Sequence, residues 1–221
     1  MKLDEMNIVI TGANGVLASY LLEYFSTRAA FVVGTVRQLV KTFRPKNNEA
    51  IIEMDPLDHH SIDGAIEWIN NQAGDIHVWL NIIGGFTMGN YVEEGRDDWI
   101  YMYNTNFMTA LNCCQKILPL MKKSGWGRII NMGSQTAVRG MPLAGPYCAS
   151  KSAVHSLTQT LALENCNGIT CNAIVPGIID TPANRNNMPD ADHGGWVALE
   201  SLAQNIEKLL LSKENGLLLE I

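Results

Sequence analysis

Short runs of consecutive apolar, often β-branched residues alternate along the whole chain with longer stretches whose apolar positions recur every three or four residues. Residues 7–11 read as a strand, and 15–28 as the helix that follows a glycine-containing turn. Further strands are predicted at 31–36 and 50–54, then a helix at 61–70 with Ile62, Ala65, Ile66 and Ile69 on one face. A long buried strand over 76–83 ends at Gly84-Gly85, and a long helical region covers 99–121. Strands at 128–132, 169–175 and 217–221 alternate with helices at 147–164 and 197–211. Near-continuous apolar strands separated by helices predict an α/β fold: a single doubly wound parallel sheet with helices on both faces. No repeat or Pro/Ser-rich linker interrupts the pattern, so residues 1–221 are expected to form one domain. Sheets of this kind bind ligands beyond the carboxyl ends of their strands, where the strand order reverses.

Chemistry concentrates at those ends. Thr11-Gly12-Ala13-Asn14-Gly15-Val16-Leu17-Ala18 leaves the first strand and opens a helix with GxxGxxA spacing. Glycines allow a tight turn and close approach to a pyrophosphate, whose charge then faces a helix N-terminus. Gly12, Asn14, Gly15, Val16 and Leu17 are the expected cradle of a dinucleotide. The second strand ends at Gly34-Thr35-Val36-Arg37 with no acid nearby. An acid there would accept hydrogen bonds from both ribose hydroxyls, whereas a basic residue pairs with a 2′-phosphate. Arg37 therefore points to NADP(H), with NAD(H) as the alternative. Tyr147 and Lys151 lie four apart on one helix face, and Ser134 stands at the end of a strand thirteen residues before the tyrosine. An ammonium beside a phenol favours the phenolate, so Tyr147 is expected to exchange a proton with a substrate oxygen that Ser134 also bonds.

These motifs together resemble the short-chain dehydrogenase/reductase superfamily over essentially the whole chain, which implies a Rossmann-type fold and hydride exchange with a nicotinamide cofactor. Gly12, Gly15 and Ala18 fall on the family's glycine turn, and Asp55 on its adenine-contacting acid. Asn81-Ile82-Ile83-Gly84 stands where the family has Asn-Asn-Ala-Gly, which implies cofactor contacts at Asn81 and Gly84. Asn106, in Asn106-Phe107-Met108-Thr109-Ala110, matches the catalytic asparagine, implied to position Lys151 through a backbone carbonyl and a water. The segment from Pro176 and Gly177 to Thr181 matches the one that holds the nicotinamide carboxamide, with Ile179 and Thr181 as contacts. The resemblance implies a catalytic set of Asn106, Ser134, Tyr147 and Lys151, a small carbonyl, alcohol or quinonoid substrate, and a homodimer or homotetramer. The compact glycine turn, Asn81 to Phe86 and the run from Asp180 to Asp192 also resemble dihydropteridine reductase, a branch that usually lacks the serine. Ser134 favours ordinary carbonyl reduction over that alternative. A non-catalytic NADP(H)-binding sensor is the reading from another class, and such proteins commonly lack the Tyr or Lys retained here.

The segment 181–196 is expected to cover the substrate. Arg185 is open to two roles, meeting an acidic substrate or capping its own loop, and Trp196 and Phe86 are open to roles as cleft walls or core. Charge refines the cofactor end. Sixteen Lys+Arg against 22 Asp+Glu give a net −6, which argues against a nucleic-acid binder. Yet Arg28, Arg37, Lys41, Arg44 and Lys46 lie between Glu23 and Glu49 with no acid among them. Arg37 is the anion contact singled out there, with Lys41 and Arg44 in support. Residues 1–5, with Asp4 and Glu5 where a secretory signal needs an apolar run, do not resemble one, no apolar run suits a membrane span, and five cysteines lack zinc spacing. A cytoplasmic protein with reduced thiols and no metal is the expectation.

Overall fold

Strand side chains alternate between two apolar faces, and each face is covered by its own helices. The computed structural model describes residues 1–39, 48–89 and 95–221. In chain order it comprises β1 (Asn7–Thr11), α1 (Val16–Ser26), β2 (Phe31–Val36), β3 (Glu49–Glu53), α2 (His59–Ala73) and β4 (Val78–Asn81). Next come α3 (Arg96–Tyr103), a π-helical turn at Asn104–Met108, α4 (Thr109–Ser124), β5 (Gly127–Met132), α5 (Thr136–Arg139) and α6 (Gly145–Glu164). The chain ends with β6 (Ile169–Val175), α7 (Pro182–Asn187), α8 (Leu199–Leu211) and β7 (Leu218–Glu220). One sheet in the order β3-β2-β1-β4-β5-β6-β7 holds these strands, and every pairing is parallel. Strand order reverses between β1 and β4, so the ligand crevice opens beyond Thr11 and Asn81.

The alternation is visible residue by residue. Ile8, Ile10, Val78, Leu80, Ile130 and Ile174 pack under α1 and α8, against Leu21, Phe25, Leu202 and Ile206. Val9, Val33, Trp79, Ile129 and Cys171 face the other way, against Ile62 and Ile69 of α2 and Cys113, Ile117 and Met121 of α4. Cys113, Cys114 and Cys171 are buried thiols, and burial pushes Cys114 up to about 12, so they are inert core residues.

Two differences from the sequence reading affect the site. The ladder strand β4 stops at Asn81 rather than 83, because the Ile82 and Ile83 N–H groups turn to the Thr11 hydroxyl at 2.9 and 3.3 Å. The expected helix over 99–121 is interrupted by the π-helical turn, which a 3.6-residue period cannot reveal. The short helices α5 and α7, of four and six residues, are too brief to leave a periodic signal.

Candidate active site

The turn after β1 is built by backbone bonds rather than side chains. Gly12 and Ala13 N–H groups both donate to the Thr35 carbonyl at 2.9 Å, and Gly15 N–H to that of Gly12 at 2.8 Å. Gly12 has φ +77°, and a Cβ there would stand 2.8 Å from Ile83 Cγ1, so no other residue fits without displacement. Helix α1 begins with no side-chain cap at Gly15, leaving its first N–H groups open to the cleft. Gly12, Asn14, Gly15, Val16 and Leu17 all line that cleft, and Ala18 is buried beneath it. Gly34 was not singled out by its sequence position, yet a Cβ there would lie 2.7 Å from that of Ala13, so β2 and the turn touch through it.

Arg37 lies one residue beyond β2, exposed and lining the same cleft. Asp55 lines it from the end of β3, with its carboxylate accepting the Leu57 N–H at 2.9 Å. Lys41, Arg44 and Lys46 lie outside the described residues.

At the other end of the cleft, β5 delivers Ser134 and α6 presents Tyr147 and Lys151. The Ser134 and Tyr147 hydroxyls are hydrogen-bonded. Ser134 Oγ lies 2.9 Å from Thr136 Oγ1 and accepts the Thr136 N–H at 3.3 Å. Lys151 is buried, and its Nζ donates to the Met132 carbonyl at 2.7 Å. Burial lowers it to about 8. The tyrosine departs from expectation: its pKa is raised, because burial outweighs the Ser134 hydrogen bond. In the free protein Tyr147 is thus a protonated phenol, suited to give a proton to a carbonyl oxygen.

The asparagines play structural parts. Asn106, on the π-helical turn, accepts the Gly85 N–H at 2.9 Å and donates to the Gly85 carbonyl at 3.1 Å and to Ser150 Oγ at 3.0 Å. Ser150 in turn donates to the Tyr147 carbonyl at 2.8 Å, so Asn106 joins the loop after β4 to the catalytic helix by side-chain bonds. Gly84 lies between them: a Cβ there would stand 3.0 Å from Asn106 Oδ1 and 3.3 Å from Lys151 Nζ. Asn81 is corrected. Sharing a strand face with Trp79, it points away from the cleft, receives the Trp79 indole N–H at 3.0 Å and donates to Asn131 Oδ1 at 2.8 Å. Asn131 then donates to Thr158 Oγ1 at 2.9 Å, so Asn81 pins α6 to the sheet instead of lining the cleft.

His155, one turn beyond Lys151, is a site residue that the sequence reading missed. It is buried, and its Nε2 lies 3.3 Å from the Ser134 nitrogen and accepts that N–H. Burial first, and then Lys151, hold its pKa down, which keeps the ring neutral and Nε2 an acceptor. Its signal was position: Tyr147, Lys151 and His155 recur every four residues on one helix face. A Cβ on Gly133 would collide with the imidazole and stand 3.1 Å from Val175 Cγ2. Gly133→Ala is therefore expected to cost about 1–3 kcal/mol by overpacking and to lower kcat about 100-fold by shifting Ser134. Thermal melting with steady-state kinetics checks both, and a variant with wild-type kcat would refute the role of this contact.

Beyond β6, Pro176, Gly177, Ile179 and Thr181 line the cleft. Thr181 caps α7 by accepting the Asn184 N–H at 3.2 Å. Arg185 is the loop's own cap: its Nε and Nη2 donate to the two Asp180 carboxylate oxygens at 2.5 and 2.7 Å. Trp196 and Phe86 both line the cleft, so they are walls. Phe86 packs edge-on against Tyr147 with ring centroids 4.9 Å apart.

A family profile described as short chain dehydrogenase matches residues 6–192. The chain belongs to the short-chain dehydrogenase family. It is 30% identical over 180 residues to a 3-oxoacyl-(acyl-carrier-protein) reductase of Haemophilus influenzae, spanning 78% of this chain and 74% of that one. It is 32% identical over 186 residues to a sorbitol dehydrogenase of Cereibacter sphaeroides, spanning 81% and 73%. Among solved structures it is similar to a gluconate 5-dehydrogenase of Burkholderia cenocepacia J2315 in complex with NADP and tartrate, at a TM-score of 0.90 and 24% identity. That match covers 100% of this chain and 94% of the other, and at this identity it speaks for the fold alone. The resemblance to dihydropteridine reductase finds no counterpart among these relatives.

Short-chain dehydrogenases are NAD(P)-dependent oxidoreductases acting on CH–OH and C=O groups, and the residues present here fit a nicotinamide dinucleotide. The cleft of about 1050 Å³ runs unbroken from Arg37 and Asp55, past the open N-terminus of α1, to Tyr147 and Lys151. Its floor at Gly12 has no room for a side chain. Among the described residues no helix is long and apolar enough to cross a membrane.

Proposed function

We propose that this short-chain dehydrogenase uses NADPH to reduce a small carbonyl compound, with Tyr147 as the proton donor. The observation that carries the reading is the meeting of Tyr147, Ser134 and Lys151 on one cleft, with the Tyr147 ring packed edge-on beside Phe86. Reduced nicotinamide, when bound, supplies a hydride to the carbonyl carbon and is itself oxidised. Tyr147 gives its proton to the carbonyl oxygen, which balances the reduction to an alcohol, and Ser134 bonds the same oxygen as charge builds on it. Lys151, one helical turn from the tyrosine with its ammonium held by the Met132 carbonyl, is the cation available to support Tyr147 as its proton leaves. Asn106 keeps the Gly84-Gly85 backbone and the start of α6 in register. Oxidation of NADPH and NADH against a panel of aldehydes, ketones, quinones and a quinonoid pterin tests the reading. Tight NADPH binding without turnover of any of them would favour a sensor, and pterin turnover that survives Ser134→Ala would favour dihydropteridine reduction.

The choice of NADPH rests on Arg37, the basic residue lining the adenosine end where an acid would serve NADH. Replacing it by Asp removes a charge-assisted pair, worth about 1.5–3 kcal/mol, and adds a repulsive carboxylate. Arg37→Asp is therefore expected to lower kcat/KM for NADPH by about 10- to 100-fold and to raise it for NADH. An unchanged preference would show the arginine to be ordinary surface.

A further inference from the structure

Among the described residues, the half of the cleft beyond Tyr147 is lined by large apolar side chains and uncharged polar ones such as Asn184, and by no lysine or arginine other than Lys151. One wall is the segment 84–89, tied to the turn before α6 by the Gly89 N–H donating to the Leu143 carbonyl at 2.9 Å. It presents Phe86, 52% exposed, and Met88, 54% exposed, with Met141 beside them. The segment after β6 presents Met188 and Trp196 to the same cleft. Trp196 is braced by the His193 ring at 4.2 Å, and the His193 imidazole is itself hydrogen-bonded to the Met188 carbonyl at 3.0 Å. Large apolar side chains held open around one concavity mark a surface that an apolar ligand covers. Methionines from both segments add flexible, polarisable contacts that adapt to alkyl or aryl groups.

Charge decides between ligand classes. Among the described residues the charged side chains lining the cleft are Arg37, Asp55 and Lys151. The first two stand at the adenosine end, and Lys151 is buried with its Nζ on the Met132 carbonyl. Arg185 does not line the cleft, and Asp180 occupies its guanidinium in a two-bond pair. Asp190 and Asp192 of the same loop are exposed acids. A carboxylate entering here would lose water and gain no cationic partner.

We propose that the cleft selects uncharged, apolar ketones and aldehydes and rejects the corresponding carboxylates, a specificity that rests on the reading of the site as a carbonyl reductase. The test compares octan-2-one with 7-oxooctanoate, which differ by a terminal carboxylate. With NADPH the ketone is expected to have a kcat/KM about 10- to 100-fold higher, the scale set by leaving one charged group unpaired. Met188→Arg, which places a guanidinium on one wall, is expected to narrow that ratio about tenfold by improving the oxo acid. Calorimetric binding of both compounds to the NADP⁺ complex separates the two readings. Tighter ketone binding without turnover of either compound would count against the reductase assignment and support the apolar pocket. Oxo acid bound or reduced as well as the ketone would overturn the pocket's selectivity.

Discussion

Tyr147→Phe is expected to bind cofactor as the wild type does and to lose about 10²- to 10⁴-fold in kcat, the usual contribution of a positioned acid or base. Geometry limits the effect to chemistry. The phenol is half-buried, and its ring rests edge-on against Phe86, contacts that phenylalanine retains. Ser134 Oγ loses one partner but keeps Thr136 Oγ1 at 2.9 Å and the Thr136 N–H at 3.3 Å, so no buried hydroxyl is orphaned. Stability should therefore change by no more than about 1 kcal/mol. NADPH fluorescence titration, melting temperature and single-turnover kinetics read the three quantities separately. Turnover within a few-fold of wild type would remove Tyr147 as the proton donor.

How much of this was legible in the sequence depends on the kind of signal. Strands β1, β2 and β6 and helices α1, α4 and α8 were readable because burial on a face repeats with a fixed period. Ser134, Tyr147 and Lys151 were readable because their chemistry needs a strand end and one helical turn, both of which leave fixed spacings. Asn81 was misplaced because a family position does not say which way a side chain points. Its partnership with Trp79 and Asn131 is a matter of strand face and register. The π-helical turn at Asn106 depends on bonds to Gly85 and Ser150 from distant segments, which local periodicity cannot encode.

The titration of the site was the least legible part. Four-residue spacing between Tyr147 and Lys151 suggests a phenolate steadied by an ammonium, yet burial reverses the sign at the tyrosine. In the free protein the lysine's charge also acts on His155, helping to keep that ring an acceptor for Ser134. A helix face specifies neighbours; only the packed structure specifies how much water each has lost. Arg185 illustrates the same point: an aspartate five residues earlier takes its Nε and Nη2, and the arginine does not line the cleft.

Lys151→Met is expected to trade function for stability. Burial lowers the lysine from 10.5 to about 8, so below pH 8 the folded protein carries a buried ammonium at a cost of roughly 3 kcal/mol. The unfolded chain holds its proton up to about pH 10.4, so that cost is fully present below pH 8 and is relieved as pH rises through the interval between the two values. Methionine removes the charge but leaves the Met132 carbonyl without its 2.7 Å donor, which returns about 1–2 kcal/mol of the gain. A net stabilisation of about 1–2 kcal/mol at pH 7 remains, about 3–6 °C in melting temperature for a chain of this length. The advantage should close as pH approaches 10.5. Activity moves the other way: removing the ammonium one helical turn from the tyrosine is expected to lower reductive kcat/KM about 10²- to 10³-fold. In the wild type kcat/KM should fall as pH rises above about 8, where the free enzyme loses that charge, and the variant's residual rate should lack this limb. Melting curves and rate profiles between pH 6 and about 10.5 measure both arms. A variant less stable than wild type at pH 7 would mean that the lysine is held by compensating contacts, and an unchanged alkaline limb would assign the titration to another group.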